Sequence, residues 1–250
     1  DQPHLVPWQY IFGRGLTIFI LLNLYLYFEE GFNFYKNYKK IGKSGLLGGC
    51  GLGVAMISFI YSITNTTAAI TLLCLAAMPF FTALLAFLFL KEKISFNVWI
   101  SIILATIGII IMAIGNTEKS SVIGFIFGIT SSIGFSVFSV TLRWRKETPK
   151  FTTVAIAGLF CFVVATIMIL SKNQPFFATS YNSSMFSLHG TLVCLGLILY
   201  SIGSKAIPAA ELTLLSLTEV IGGIFWVWLP LFGINEVPST NTIVGGFFLF

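Results

Sequence analysis

Apolar stretches of about 20 residues, divided by short polar breaks, run almost from end to end of this chain. That is the length an α-helix needs to cross a hydrocarbon core of roughly 30 Å at about 1.5 Å per residue. The bilayer is therefore the expected solvent. Of the 250 residues, 56% are hydrophobic and 9% charged. Ordinary soluble domains carry about 25% charged residues, so too little polar surface remains for a soluble globule. The 26 Phe suit lipid-facing surfaces but would equally serve a large core. Cys50, Cys74, Cys161 and Cys194 all lie in apolar stretches, with no CxxC pair and no His nearby in sequence. They read as packing residues rather than disulfides or metal ligands.

Hydropathy places spans at Trp8 to Phe28, Ser44 to Ile63, Thr67 to Leu90, Asn97 to Gly115, Val122 to Thr141, Thr152 to Leu170, Leu188 to Gly203 and Pro208 to Leu229. A ninth begins near Thr240 and runs to Phe250, about half the roughly 30 Å core. The chain thus reads as a fragment that stops mid-helix, and the absence of an initiator Met at Asp1 reads the same way at the other end.

Lys and Arg set the expected orientation, because cytoplasmic loops carry the excess. Alternate loops hold Lys36, Lys39, Lys40 and Lys43; Lys91 and Lys93; Arg143, Arg145, Lys146 and Lys150; and Lys205. The opposite loops hold Lys119 and Lys172. The segment before Trp8 is expected outside and the loop 29–43 in the cytoplasm, in a bacterial inner membrane. The net charge of +5 needs no nucleic acid to explain it.

An internal echo suggests a repeat. Ala68, Ala69, Thr71, Leu72 and Leu73 are matched by Ala209, Ala210, Thr213, Leu214 and Leu215, each set before a long span. Each span ends in an acidic turn, Lys91-Glu92-Lys93 in one copy and Asn235-Glu236-Val237 in the other. Loss of the lysines from the second turn is what an inverted repeat predicts, since an odd number of helices puts the two turns on opposite sides.

These residues, with Pro79-Phe80-Phe81-Thr82-Ala83-Leu84-Leu85-Ala86, Trp99 and Gly108 in the first copy and Glu219, Gly222 and Glu236-Val237-Pro238-Ser239 in the second, carry a resemblance. The chain resembles the drug/metabolite transporter superfamily, specifically its ten-helix EamA-type branch. The resemblance implies an all-α, polytopic membrane helix bundle of two inverted five-helix repeats, here 1–115 and 122–250, with nine spans visible, the first helix missing and the last truncated. It implies secondary active transport of a small organic metabolite by alternating access, as efflux, with proton coupling as a further hypothesis. Its partners would be the solute and the lipid bilayer, with no nucleic acid and no cofactor, and a homodimer is compatible with it. Relatives commonly carry Pro after the second-repeat Glu, where this chain has Val220.

Ionisable groups inside a membrane cost about 2.5 to 3.5 kcal/mol on insertion scales and default to function. Glu219 lies 11 residues past Pro208, about 16 Å into its span and near the midplane. It reads either as a protonated carboxyl bonded to a neighbouring helix or as a substrate or proton site. Arg14 sits about 9 Å from the outer end of its span, where it either snorkels outward or faces inward to bind an anion or pair with Glu219. Glu211 complements the helix dipole just after Pro208, or lines the pathway. Pro79, about midplane, should kink its helix and shape a cavity. Tyr61 and Thr82, with Ser58, Asn65 and Thr66, offer hydrogen bonds along the same pathway. His189 and Lys205 read as interfacial residues. Gly45, Gly49 and Gly53, and Gly124 and Gly128, are spaced for close helix approach.

A lipid or lipid-linked sugar flippase on the same fold is the alternative. A membrane-integral enzyme ranks below both. The chain has one Asp and two His and lacks HExxH, GxSxG and P-loop motifs, which argues against metal, acyl-transfer or ATP-driven chemistry within it.

Overall fold

The computed structural model describes residues 7–91, 122–145, 147–177, 179–216 and 240–248, with scattered positions between 96 and 111 and between 218 and 223. The expected span 97–115 falls largely outside the described residues. So do the later part of the span from Pro208, residues 92–93 and 235–237 of the acidic turns, Trp99, Val220, Trp226 and Trp228.

Among the described residues every regular element is helical. They are α1 (Pro7–Glu30), a 3₁₀ turn (Gly31–Phe34), α2 (Tyr35–Lys40), α3 (Gly42–Asn65), α4 (Ala68–Leu75), α5 (Met78–Leu85), a π-helical turn (Ala86–Leu90), α6 (Val122–Trp144), α7 (Lys150–Ser171), α8 (Ser180–Gly203), α9 (Ala209–Leu215) and α10 (Thr240–Phe247). Among the described residues six stretches are long and apolar enough to cross a membrane: Pro7–Lys40, Gly42–Asn65, Ile70–Leu90, Val122–Trp144, Lys150–Ser171 and Ser180–Gly203. The chain is an integral membrane protein with an all-α, polytopic bundle.

The side-chain distribution follows from that solvent. On α8 the buried positions are Phe186, Gly190, Cys194, Leu197 and Ser201, while Leu188, Leu192, Leu195 and Leu199 are exposed. Most of its leucines face out while Gly190, Cys194 and Ser201 face the protein beside Phe186 and Leu197, because lipid provides no drive to hide an apolar side chain and close packing does the joining.

Two elements depart from the expected spans. The loop 29–43 is mostly helical, a 3₁₀ turn followed by α2, bracketed by Gly31 (φ 62) and Gly42 (φ 59). Both glycines sit in the left-handed region that lets a helix end or restart without a Cβ clash. Helix α8 begins eight residues before Leu188, at Ser180. Thr179 caps it by accepting the Asn182 N–H at 3.4 Å, so polar residues supply a first turn that hydropathy cannot register.

The chain forms two compact units, Asp1–Ile57 with Val137–Ala206, and Ser58–Ser136 with Ile207–Phe250. Each draws one segment from either half of the chain, and the divisions fall inside α3 and α6.

In the first unit α1 packs on α7 and α8. A Cβ built on Gly15 would lie 2.9 Å from the Gly158 carbonyl oxygen and the Phe162 nitrogen, and one on Gly158 would lie 2.9 Å from the Gly15 oxygen. The two helices therefore touch backbone to backbone. Helix α3 meets α7 in the same way, with Gly49 against Ile156 and Thr153, and Gly53 against Phe160. The stripe Gly45, Gly49, Gly53 thus serves close packing, as its spacing predicts. Cys161 packs into the same seam, its thiol 3.5 Å from the Gly53 carbonyl oxygen.

Candidate functional site

The second unit holds an interrupted helix. Thr67 caps α4, accepting the Ile70 N–H at 3.3 Å. The helix then ends at Leu75 and restarts at Met78 with Pro79 in its first turn. Proline has no N–H for the Leu75 carbonyl four residues earlier, so an unbroken α-helix would leave that group without its helical donor. Instead the backbone tightens, with Ala76 donating to Leu72 and Leu73 and Ala77 donating to Cys74, each at 3.1 Å. The sequence places a kink at Pro79; the structure breaks the helix just before it, where the ring can sit in a first turn that needs no donor.

Helix α6 braces the break. The Ser132 hydroxyl donates to the Cys74 carbonyl at 2.5 Å and the Ser136 hydroxyl to the Met78 carbonyl at 3.0 Å. Further along, a Cβ on Gly128 would lie 2.8 Å from the Cys74 Cβ, and one on Gly124 2.9 Å from the Asn65 backbone and the Thr66 Cβ. Gly124, Gly128, Ser132 and Ser136 thus form one stripe at four-residue spacing along a single face. The two serines were missed from sequence. Their signal was continuation of the Gly124–Gly128 spacing by the next small residues.

Other expected pathway residues gather in this unit. Thr82, in α5, is wholly buried, and its hydroxyl has no hydrogen-bond partner. Its usual acceptor four residues back is the Met78 carbonyl, which accepts from Ser136. Pro79 is half-buried. Tyr61 is half-buried with its ring 5.3 Å from that of Phe127, and its neighbour Ser62 shares a 2.9 Å hydrogen bond with Thr71 of α4. Ser58 is buried, Thr66 half-buried and Asn65 exposed, its amide donating to the Tyr61 carbonyl at 2.7 Å. Glu211 is exposed in the first turn of α9, which packs on α5. Glu219 is exposed, and its N–H donates to the Ser216 carbonyl at 3.0 Å.

Arg14 belongs to the first unit and is 3% exposed, so it faces inward instead of snorkelling. Its Nη2 donates to the Met56 carbonyl of α3 at 2.8 Å, and its guanidinium lies 5.6 Å from the centroid of the Tyr10 ring, one turn earlier. Tyr10 in turn hydrogen-bonds His189 Nδ1 and meets the Phe186 ring edge-on at 4.9 Å. His189, expected at an interface, is half-buried against α1. Gly190 lets α8 approach, since a Cβ there would lie 3.2 Å from the Arg14 carbonyl oxygen.

At one end of the same unit, a cavity of about 780 Å³ collects Glu29, Glu30, Arg143, Glu147, Lys150 and Lys205. Lys150 donates to Ser204 at 3.0 Å and the Lys205 ammonium sits 5.7 Å from the Phe151 ring centroid. These are helix-end charges held against apolar stems, as in an interfacial rim.

Comparison with known proteins agrees with this architecture. Residues 2–114 match the EamA-like transporter family. An "uncharacterized transporter" from each of two Helicobacter pylori strains is 25% identical over 232 residues, covering 88% of this chain and 76% of the relative. A solved crystal structure shares the fold with a TM-score of 0.68 at 16% identity, covering 98% of this chain and 86% of its own. An EamA-like transporter domain over residues 2–114 and relatives named as transporters together support membership of the drug/metabolite transporter superfamily.

Proposed function

We propose that this membrane transporter is a secondary active exporter of a small organic metabolite, working by alternating access with 1–115 and 122–250 as inverted repeats and coupled to protons through Glu219. The observation that carries the reading is the interruption between α4 and α5, capped by Thr67, broken ahead of Pro79 and braced by Ser132 and Ser136. Regular transmembrane helices satisfy their own backbone. Irregular backbone at membrane depth is kept where it serves a cavity, and discontinuous helices recur at transporter substrate sites.

In this reading Tyr61, Thr82 and Glu211 offer hydrogen bonds to the solute, and Pro79 holds the break open. Arg14, within its own unit, offers a separate group for an anion. The basic loops fix the orientation in a bacterial inner membrane, with the segment before Trp8 outside and 29–43 cytoplasmic.

The test is solute flux in proteoliposomes under an imposed pH gradient, with the wild type and Glu219→Gln compared at equal folded amounts. A saturable flux that follows the gradient and is lost in Glu219→Gln supports the reading. Gradient-driven flux unchanged in Glu219→Gln removes Glu219 from coupling, and headgroup translocation without solute flux replaces the exporter with a flippase.

A further inference from the structure

Arg14 is the most deeply buried cation described in the chain, and among the described residues its surroundings supply no countercharge. Within its unit, the described titratable groups that face it are Tyr10 and Cys161 on its near sides and His189 behind Tyr10. None is a carboxylate. Its guanidinium donates to one backbone carbonyl, that of Met56, and interacts with the Tyr10 hydroxyl, while Nε is sealed from solvent without a partner among the described residues. A guanidinium in that position is costly to bury, because desolvation is offset only when an anion and further acceptors are present.

The local packing keeps it there. Gly15 against Gly158 on one side and Gly190 against Thr17 and the Arg14 carbonyl on the other clamp this turn of α1 between α7 and α8. Met56 then holds one end of the fork and the Tyr10 ring lies alongside it. The Tyr10 ring beside the guanidinium has its hydroxyl bonded to His189 and meets the Phe186 ring edge-on. A guanidinium with an unmatched N–H matches a carboxylate oxygen, and the ring beside it matches an apolar body.

We propose that the transported solute is an organic monocarboxylate, its carboxylate received by Arg14 and its apolar body by Tyr10 and Phe186, with His189 positioning Tyr10. This rests on the reading of the chain as a solute transporter. It is tested with benzoate and phenylacetate against their neutral amides, benzamide and phenylacetamide, on the full chain reconstituted in phosphatidylcholine. Binding is read by thermal unfolding and flux by uptake into the vesicles.

The acids should bind about tenfold or more tightly than the amides, the scale of a hydrogen bond to a charged group. Arg14→Gln should erase that preference, and Arg14→Lys should keep part of it. A purely structural arginine would lower the unfolding temperature on substitution without altering the acid-to-amide ratio, and an unchanged ratio in Arg14→Gln overturns the proposal. Should Arg14→Gln not fold, His189→Gln keeps the cation and disturbs Tyr10; an unchanged ratio there, together with equal binding of acid and amide by Arg14→Lys, overturns it too. Phosphatidylglycerol that abolishes the acid preference in the wild type would assign the site to lipid headgroups and overturn the solute assignment. Acid binding without flux keeps the anion site and overturns the transport reading, whereas neutral-solute flux indifferent to Arg14 does the reverse.

Discussion

The hydroxyl of Ser136 on α6 donates to the carbonyl of Met78 at 3.0 Å, one helical turn beyond the 2.5 Å bond from Ser132 to Cys74. Two side chains of one continuous helix thus grip the residues on either side of the gap in another. The two bonds tie both sides of the break to one neighbour, flanking the Leu75 carbonyl that lost its helical donor to Pro79.

Removing those hydroxyls should loosen the brace. Ser132→Ala and Ser136→Ala are each expected to destabilise the folded protein by about 0.6 kcal/mol, the average for interhelical hydrogen bonds in membranes, with about 1.7 kcal/mol as the ceiling. Equilibrium unfolding in mixed micelles measures this. Because both bonds hold one break, the double variant should lose less or more than the sum of the two, and strict additivity would speak against a shared brace.

Pro79→Ala restores an N–H opposite the Leu75 carbonyl. The variant should fold, with α4 and α5 tending toward one continuous helix, and should transport several-fold more slowly while unfolding at an equal or higher temperature. Flux at wild-type rates from a protein of raised stability would detach the break from the transport cycle.

Thr82 gives the opposite balance of stability and function. Its hydroxyl is buried without a partner, and an unsatisfied buried polar group carries a penalty of about 1 to 3 kcal/mol. Thr82→Val removes the hydroxyl at nearly constant shape and should stabilise the protein by about 1 kcal/mol. A raised KM in the same variant, read from initial rates of flux, would show that the hydroxyl meets the solute.

Glycines in the first unit divide by what surrounds them. At Gly15 an added methyl meets backbone atoms at 2.9 Å that cannot rotate away, so Gly15→Ala should destabilise by about 1 to 3 kcal/mol. At Gly196, exposed in the middle of α8, nothing lies within 4 Å, and Gly196→Ala should stabilise by up to about 1 kcal/mol through helix propensity alone. Thermal unfolding of the two variants side by side should move in opposite directions.

Hydropathy made the spans legible because lipid exposure enforces long apolar runs, and four-residue glycine spacing made the α3–α7 seam legible because close backbone approach requires it. Other features depend on partners remote in sequence. The start of α8 and the helical character of 29–43 escaped because polar helical turns look like loops to a hydropathy window. Pro79 announced a distortion, but where the helix breaks depends on which carbonyls Ser132 and Ser136 can reach, 58 residues away. Arg14 stood out as a buried charge, yet its partners are a backbone carbonyl 42 residues on and, through Tyr10, a histidine 179 residues from that tyrosine. Backbone acceptors leave no mark on residue type, so no pattern in the sequence could name Met56. Glu219 and Glu211 stood out as rare acids, and both keep accessible surface in the fold, which the sequence alone does not specify.

The contact of Gly15 with Gly158 has a mechanical consequence for its neighbour in the chain. Side chains between helices act as bearings, since they can change rotamer and let one helix shift on another. Where two backbones touch directly there is nothing to turn, so α1 at this level is registered to α7 as a fixed strut. Arg14, one residue away, has its Cα anchored to that strut, so any displacement of its guanidinium must come from its own side-chain torsions after the Met56 bond breaks. Its reach, and not the travel of its helix, then sets how far a bound anion can be carried before it must be released.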